Sequence, residues 1–287
     1  MSGINTNRSN ITLPTDVSSE ILKKTQEESA IMRLAREVKL SGRGTTIPVV
    51  LGDPEASWVN ETAKKPVSNP QLETKVMTPH KLAVIVPFSD EFARDAKALY
   101  DELVRRLPRA LAAKFDYTVF GGGTAPASNF DTFASCTAQE IGTDAYGALV
   151  AADTDVATHG GVLDGFVISP QGKGILLASK DDNGRPLFIN SVAEGAIPMI
   201  LGAKSIVSKA AYVAGTPATV GIAGDWTQAL YGTVEGVKVD FSKEASLTID
   251  NEVVNLWERN MFAVRAEIEV GFRADTTCFN KLTKAAN

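Results

Sequence analysis

The period of the apolar residues changes several times along the chain, and each change marks an element. After a polar start to about Asn10, the stretch TLPTDVSSEILKKTQEESAIMRLAREVKL reads as an arm leading into a helix. Ile21, Leu22, Ile31, Leu34 and Val38 give it an approximately helical apolar face, and Ser18 or Ser19 is placed to cap it. TTIPVVLG, after Gly42 and Gly44, reads as a strand, as does KLAVIVPFS. About thirty residues lie between these two strands, far more than the roughly four to six of an ordinary connection. The excess is WVNETAKKPVSNPQLETK, Trp58 to Lys75, which has little to bury in a core of its own and is expected to belong to a long projecting loop, Ser57 to Pro79.

Ser89 is then expected to cap the strongest helix, with Asp90 and Glu91 complementing the dipole of its first turn. Phe92, Ala96, Leu99, Leu103, Leu107, Leu111, Phe115 and Val119 recur every three or four positions until Gly121, Gly122 and Gly123 stop the run. Such a helix would span roughly 45 Å, with Pro108 kinking or dividing it. Beyond the glycines, TAQEIGTDAYGALVAADTDV reads as an Ala-rich helical stretch, GFVISP as a short buried strand, QGKGILLAS as a helix and DDNGRPLF as a turn. The final third is mostly long strands. In NLWERNMFAVRAEIEVGFRA, Val264, Ala266, Ile268 and Val270 share one face, while Arg265, Glu267 and Glu269 share the other.

Composition narrows the class without supplying a chemistry. With 287 residues, 44% of them hydrophobic, the chain can bury a large core, and its formal charge of −5 offers no global attraction for nucleic acid. Cys136 and Cys278 form no C-x-x-C pattern and are expected to be ordinary reduced thiols. No basic leader followed by an apolar run and no long uninterrupted apolar stretch occurs, so secretion and membrane spanning are disfavoured. His80 and His159 lack metal-ligand spacing. The P-loop pattern fails at Val167 and Gly174, and Asp153 with Asp155 reads as a solvated helix end. No cofactor or metal is expected. What remains is an extended arm, a projecting loop, a long helix and long strands, which are features of assembly.

In order and local pattern these segments resemble the major capsid proteins of tailed bacteriophages, the Hong Kong 97 fold, an α+β architecture. WVNETAKKPVSN followed by KLAVIVPFSDEFARDA is similar to that family's extended loop, returning strand and start of the spine helix. ALAAKFDYTVFGGGT resembles the end of the spine helix, and VISPQGKGILLASKDDNGRPLF the first part of the axial domain. GDWTQALYGTVEGVKVDFS with NLWERNMFAVRAEIEVGF resembles the closing peripheral strands. The resemblance implies an N-terminal arm and helix over 1–40, the extended loop and its strands over 41–82, and a peripheral domain with the spine helix over 83–130. It places the axial domain at 131–230 and the closing strands and C-terminus at 231–287.

The same resemblance implies a shell protein, not an enzyme, forming hexamers and pentamers of an icosahedral head around double-stranded DNA. Assembly would occur in the host cytoplasm, with maturation from a procapsid and residence in the virion. Implied partners are further copies of the chain, a portal, a separate scaffolding protein and a decoration protein, with DNA enclosed but not read by sequence. Trp58, Glu61, Lys64, Lys65 and Pro66 would form the inter-subunit part of the loop. Lys65, Asn260 and Glu267 match the positions at which the type member joins a lysine to an asparagine between subunits, the glutamate taking the proton. The expectation here is noncovalent contact at those three positions: Lys64 or Lys65 in a rim salt bridge, Asn260 at a strand end and Glu267 beside Arg265. Two alternatives are an encapsulin shell, which shares the fold, and a soluble α/β enzyme using Asp225, Glu267 and Arg265.

Overall fold

The structure is a computed structural model, and it describes residues 15–42, 44–51, 58–59, 71–91, 96–181, 183–188, 199–234, 236–249 and 251–285. Two sheets carry the body, one beside the long helix and one with two shorter helices.

The first sheet is organised around one long strand, β14 (Met261–Ala274). Along one stretch it pairs antiparallel with β4 (His80–Ser89), from Met261 opposite Ser89 to Val270 opposite His80. It also pairs with β11 (Lys238–Ser242) and, near its end, with β10 (Ala229–Thr233), which in turn takes β1 (Arg36–Lys39) in parallel. The alternation read from sequence holds. Val264, Ala266, Ile268 and Val270 are buried, while Arg265 is exposed on the opposite face.

The buried face packs on α3 (Ala96–Val119), whose Leu103, Leu107 and Leu111 are almost wholly inaccessible, and on Ile21 of α1 (Thr15–Glu28). At 1.5 Å per residue, the 24 residues of α3 extend about 36 Å. Pro108 lies inside this helix without dividing it. Its missing N–H leaves one carbonyl of the preceding turn without its intrahelical donor. Val119 ends the helix and Gly121 adopts φ +87°, where a Cβ would lie 2.9 Å from the Ala134 backbone.

The second sheet has the order β5 (Thr137–Glu140), β15 (Phe279–Lys284), β9 (Ala218–Gly224), β6 (Gly165–Ile168), β8 (Ala203–Val207) and β7 (Met199–Ile200). Helices α4 (Ala145–Thr158) and α5 (Pro170–Ala178) pack against it. Its last strand, β15, comes from the closing segment of the chain. An aromatic cluster joins the two sheets: Phe272 of β14 and Phe279 of β15 both pack on Phe133, with ring centroids 5.6 and 4.6 Å away.

Several expectations change. Ser18 and Ser19 lie inside α1 and do not cap it, because the helix already includes Thr15. Ser29 instead caps a separate short helix, α2 (Ala30–Leu34), accepting a hydrogen bond from the Met32 N–H at 3.1 Å. Val38 belongs to β1. Ser89 ends β4, and its hydroxyl accepts from the Glu91 N–H at 3.2 Å; α3 starts at Ala96 among the described residues, and the expected start of the helix, Phe92 included, lies outside them. The supposed loop is in part a strand, β3 (Gln71–Met77), antiparallel to β2 (Thr45–Leu51). The Ala-rich helical stretch likewise opens with β5, whose polar TAQE is ordered by parallel pairing with β15.

Candidate assembly surface

The β2–β3 hairpin forms a two-stranded sheet of its own, and its base is firmly seated. Met77, at the base of β3, is completely buried with Leu40 and Leu230. Its slot exists because glycines line it. A Cβ on Gly232 would come within 2.7 Å of the Met77 sulfur, and one on Gly271 within 2.8 Å of its Cγ. Two residues earlier, the Lys75 ammonium donates to the Ala274 carbonyl at 3.1 Å and lies 3.8 Å from Asp131, which also faces Arg273 at 3.3 Å. The base of the hairpin is therefore held by packing and charge.

The described part of the connection, Trp58 and Val59, is held by neither. Trp58 and Val59, in the connection between the two strands, are exposed, and Trp58 is as accessible as in an isolated chain, at 105%. Glu61, Lys64, Lys65 and Pro66 lie outside the described residues. A two-stranded hairpin is marginal by itself in water, and an exposed indole leaves a large apolar area wet. A second exposed apolar spot lies on a separate two-stranded sheet of β12 (Ser246–Ile249) and β13 (Glu252–Asn255), where Val253 and, in the following turn, Trp257 face solvent.

Asn260 closes that turn with φ +51°, a left-handed conformation that asparagine tolerates better than most residues. Its carbonyl accepts from the Asp90 N–H at 2.8 Å, joining the start of β14 to the end of β4. Glu267 sits mid-strand on the outward face, 3.2 Å from Arg265, whose other arm reaches Asp240 at 2.8 Å. Seven residues of nearly extended chain place Asn260 and Glu267 roughly 20 Å apart, so one chain does not bring them together. Asn260 is exposed, while Glu267 is half-buried between β4 and β11 on the outward face of the sheet.

The enzyme constellation is dispersed. Asp225 is buried, and its carboxylate is used by the Thr227 N–H and hydroxyl, at 3.0 and 2.6 Å, and by the Val162 N–H at 3.0 Å. It holds a turn at the end of β9, remote in topology from Arg265 and Glu267 on the first sheet. His80 bonds Asn129 at 3.1 Å, and His159 bonds the Asp155 carbonyl at 2.8 Å. Gly172 is needed for packing, since a Cβ there would meet the Val220 carbonyl at 2.5 Å. Both cysteines are free and buried, and burial pushes the Cys136 thiol up to about 12. No group of three or more metal-ligating side chains is assembled among the described residues, and none of their helices is long and apolar enough to cross a membrane.

One polar group was missed in the sequence. Asp116, on the buried side of α3, accepts from the Ser29 hydroxyl at 2.5 Å, the Ala30 N–H at 2.8 Å and the Ile31 N–H at 3.4 Å. It ties the N-terminal helices to α3. Desolvation raises its pKa to about 7 against the opposing pull of those three donors. The signal was available: Ala112, Phe115, Asp116 and Val119 share the buried helical face, and an acid there requires donors.

The chain is similar to known proteins over nearly its whole length. The probable major capsid protein of Mycobacterium phage D29 is 31% identical over 294 residues, covering 96% of this chain and 91% of that protein. The corresponding protein of Mycobacterium phage L5 is 30% identical, covering 94% and 89%. Among solved structures, a chain from Gordonia phage Cozz superposes with a TM-score of 0.69 at 22% identity, covering 90% of this chain and 87% of that one. A chain described as the capsid of a native GTA particle gives a TM-score of 0.61 at 17% identity. These neighbours share the Hong Kong 97 fold, and the encapsulin and enzyme alternatives are not favoured. The family model for the phage capsid family matches residues 9–275, and the chain belongs to that family as a structural major capsid protein of the virion, one that self-assembles into a multimeric shell.

Proposed function

We propose that copies of this chain form hexamers and pentamers that close into an icosahedral head around double-stranded DNA, after assembly in the host cytoplasm. The observation that carries the reading is the β2–β3 hairpin, seated at its base by Met77 and Lys75 and ending in a fully exposed Trp58. Such an element gains its remaining burial from a neighbouring copy. Glu61, Lys64, Lys65 and Pro66 extend the same contact in this reading. Contact at Lys65, Asn260 and Glu267 is noncovalent: Glu267 is already engaged by Arg265, which leaves it poorly disposed to accept a proton from an attacking lysine. A portal, a separate scaffolding protein and a decoration protein complete the proposed set of partners, supported by the family resemblance alone. DNA is contained without tight binding, in keeping with the net charge of −5. Electron microscopy of particles formed by the purified chain tests the proposal. Closed shells with six-fold and five-fold capsomers are expected, and open sheets or tubes without five-fold positions would overturn it.

A further inference from the structure

A cavity of about 140 Å³ opens between β4, α3 and the segment 121–130. Leu82, Phe115, Phe130 and Val270 make an apolar floor, with Phe115 and Phe130 edge to face at 6.3 Å. Lys81 from β4 and Lys114 from α3 stand at its mouth. Lys81 has one distant partner, Glu269 at 3.7 Å, and its side chain remains 69% exposed. Among the described residues no carboxylate is in ion-pair range of Lys114. The cavity thus joins an aromatic floor to a cationic rim.

We propose that this cavity receives Trp58 of a second copy, a contact that rests on the assembly reading above and gives it a specific lock. Size is the first argument. An apolar cavity of about 150 Å³ accepts a benzene ring, so the six-membered ring of the indole fits the floor and the pyrrole edge with its N–H stays at the mouth. Aromatic partners are the second, because Phe115 and Phe130 offer edge-to-face packing and the two lysines can lie against the indole face. Charge is the third. In sequence, the charges nearest Trp58 are Glu55 and Glu61, three residues to either side, then Asp53, with Lys64 and Lys65 further along, so the nearest ones are opposite in sign to the rim. Trp257, the other exposed tryptophan, is followed directly by Glu258 and Arg259, whose charges cancel. Trp226 is buried and unavailable. Each copy gives one tryptophan and takes one, a heterologous contact that propagates around a ring.

Cysteine linkage in the full chain tests this. Val59→Cys and Thr124→Cys are combined, Val59 being the exposed neighbour of Trp58 and Thr124 an exposed residue on the cavity lip, and the native thiols are buried. Particles are first verified by microscopy, so a failure of assembly is seen separately from a failure of the contact. After oxidation, a non-reducing gel is expected to show a ladder beyond the dimer, absent from either single variant. Intact particles without a ladder would overturn the proposal. A second measurement reads Trp58 itself: in Trp257→Phe, Trp58 is the remaining exposed tryptophan, and its quenching by iodide is expected to fall severalfold on assembly. Full quenching in assembled particles would refute the contact even if the cysteine pair fails to assemble. Protection of Trp58 without linkage to Thr124 would assign it to another surface and equally overturn the proposal.

Discussion

Replacing Asp116 with asparagine tests how the N-terminal helices are fastened to the long helix. The carboxyl is buried and its pKa is raised from 3.8 to about 7. A group whose folded pKa lies above its unfolded value stabilises the fold fully below the unfolded pKa, and that contribution is lost as pH rises through the folded one. Three units at 1.36 kcal/mol each correspond to about 4 kcal/mol. Wild type should therefore lose that amount, relative to Asp116→Asn, between about pH 4 and about pH 8. Taking the difference between the two proteins cancels the other carboxylates. Asparagine keeps an acceptor for the Ser29 hydroxyl but turns an amide NH₂ toward a backbone N–H, so the variant should start about 1–3 kcal/mol less stable at the acid end. The assay is urea unfolding of unassembled subunits across that pH range. A difference that does not change with pH would refute the reasoning, since it would mean that Asp116 titrates alike in folded and unfolded chains.

Further outcomes follow from other parts of the structure. Met77→Ala should cost about 2–4 kcal/mol by emptying the slot beside Gly232 and Gly271, and limited proteolysis should then cut the hairpin first; unchanged cleavage would contradict its role as anchor. Deleting residues 60–70 should leave circular dichroism intact and abolish particles, whereas normal particles would show the segment to be dispensable. Boiled mature particles should run as a single band near 30.5 kDa; a ladder lost in Lys65→Ala and Asn260→Ala would establish covalent joining. Glu267→Gln should change subunit stability by less than about 1 kcal/mol, because its pair with Arg265 is partly exposed, and a larger loss in thermal unfolding would contradict that.

Much of the architecture was legible because it is periodic. The run Leu103, Leu107, Leu111, Phe115 and Val119 specifies a helix with one buried face, and the alternation from Val264 to Val270 specifies a strand with one. The less periodic elements were not readable in the same way. QLETKVM carries few β-branched residues and becomes β3 because β2 supplies the ladder, while TAQE becomes β5 because β15 does. Ser89, a serine followed by two acids, fits the pattern of a helix cap, and its part as the last residue of β4 paired with β14 had no such local signal. The candidate assembly surface was visible as a segment too long and too polar for its place. Its anchoring by Met77 was hidden, since a slot made by two distant glycines has no local sequence signal. Asp116 was hidden by position alone, because its partners Ser29, Ala30 and Ile31 lie more than eighty residues earlier.

The central claim is that this chain buries its exposed hairpin only by meeting copies of itself. Sedimentation velocity of the purified protein, from low to high concentration, tests that claim most directly. A rapidly sedimenting boundary of capsomers or closed shells should grow at the expense of the slow one as concentration rises. A single 30.5 kDa monomer boundary at the highest concentration, with Trp58 packed on its own subunit, would contradict it.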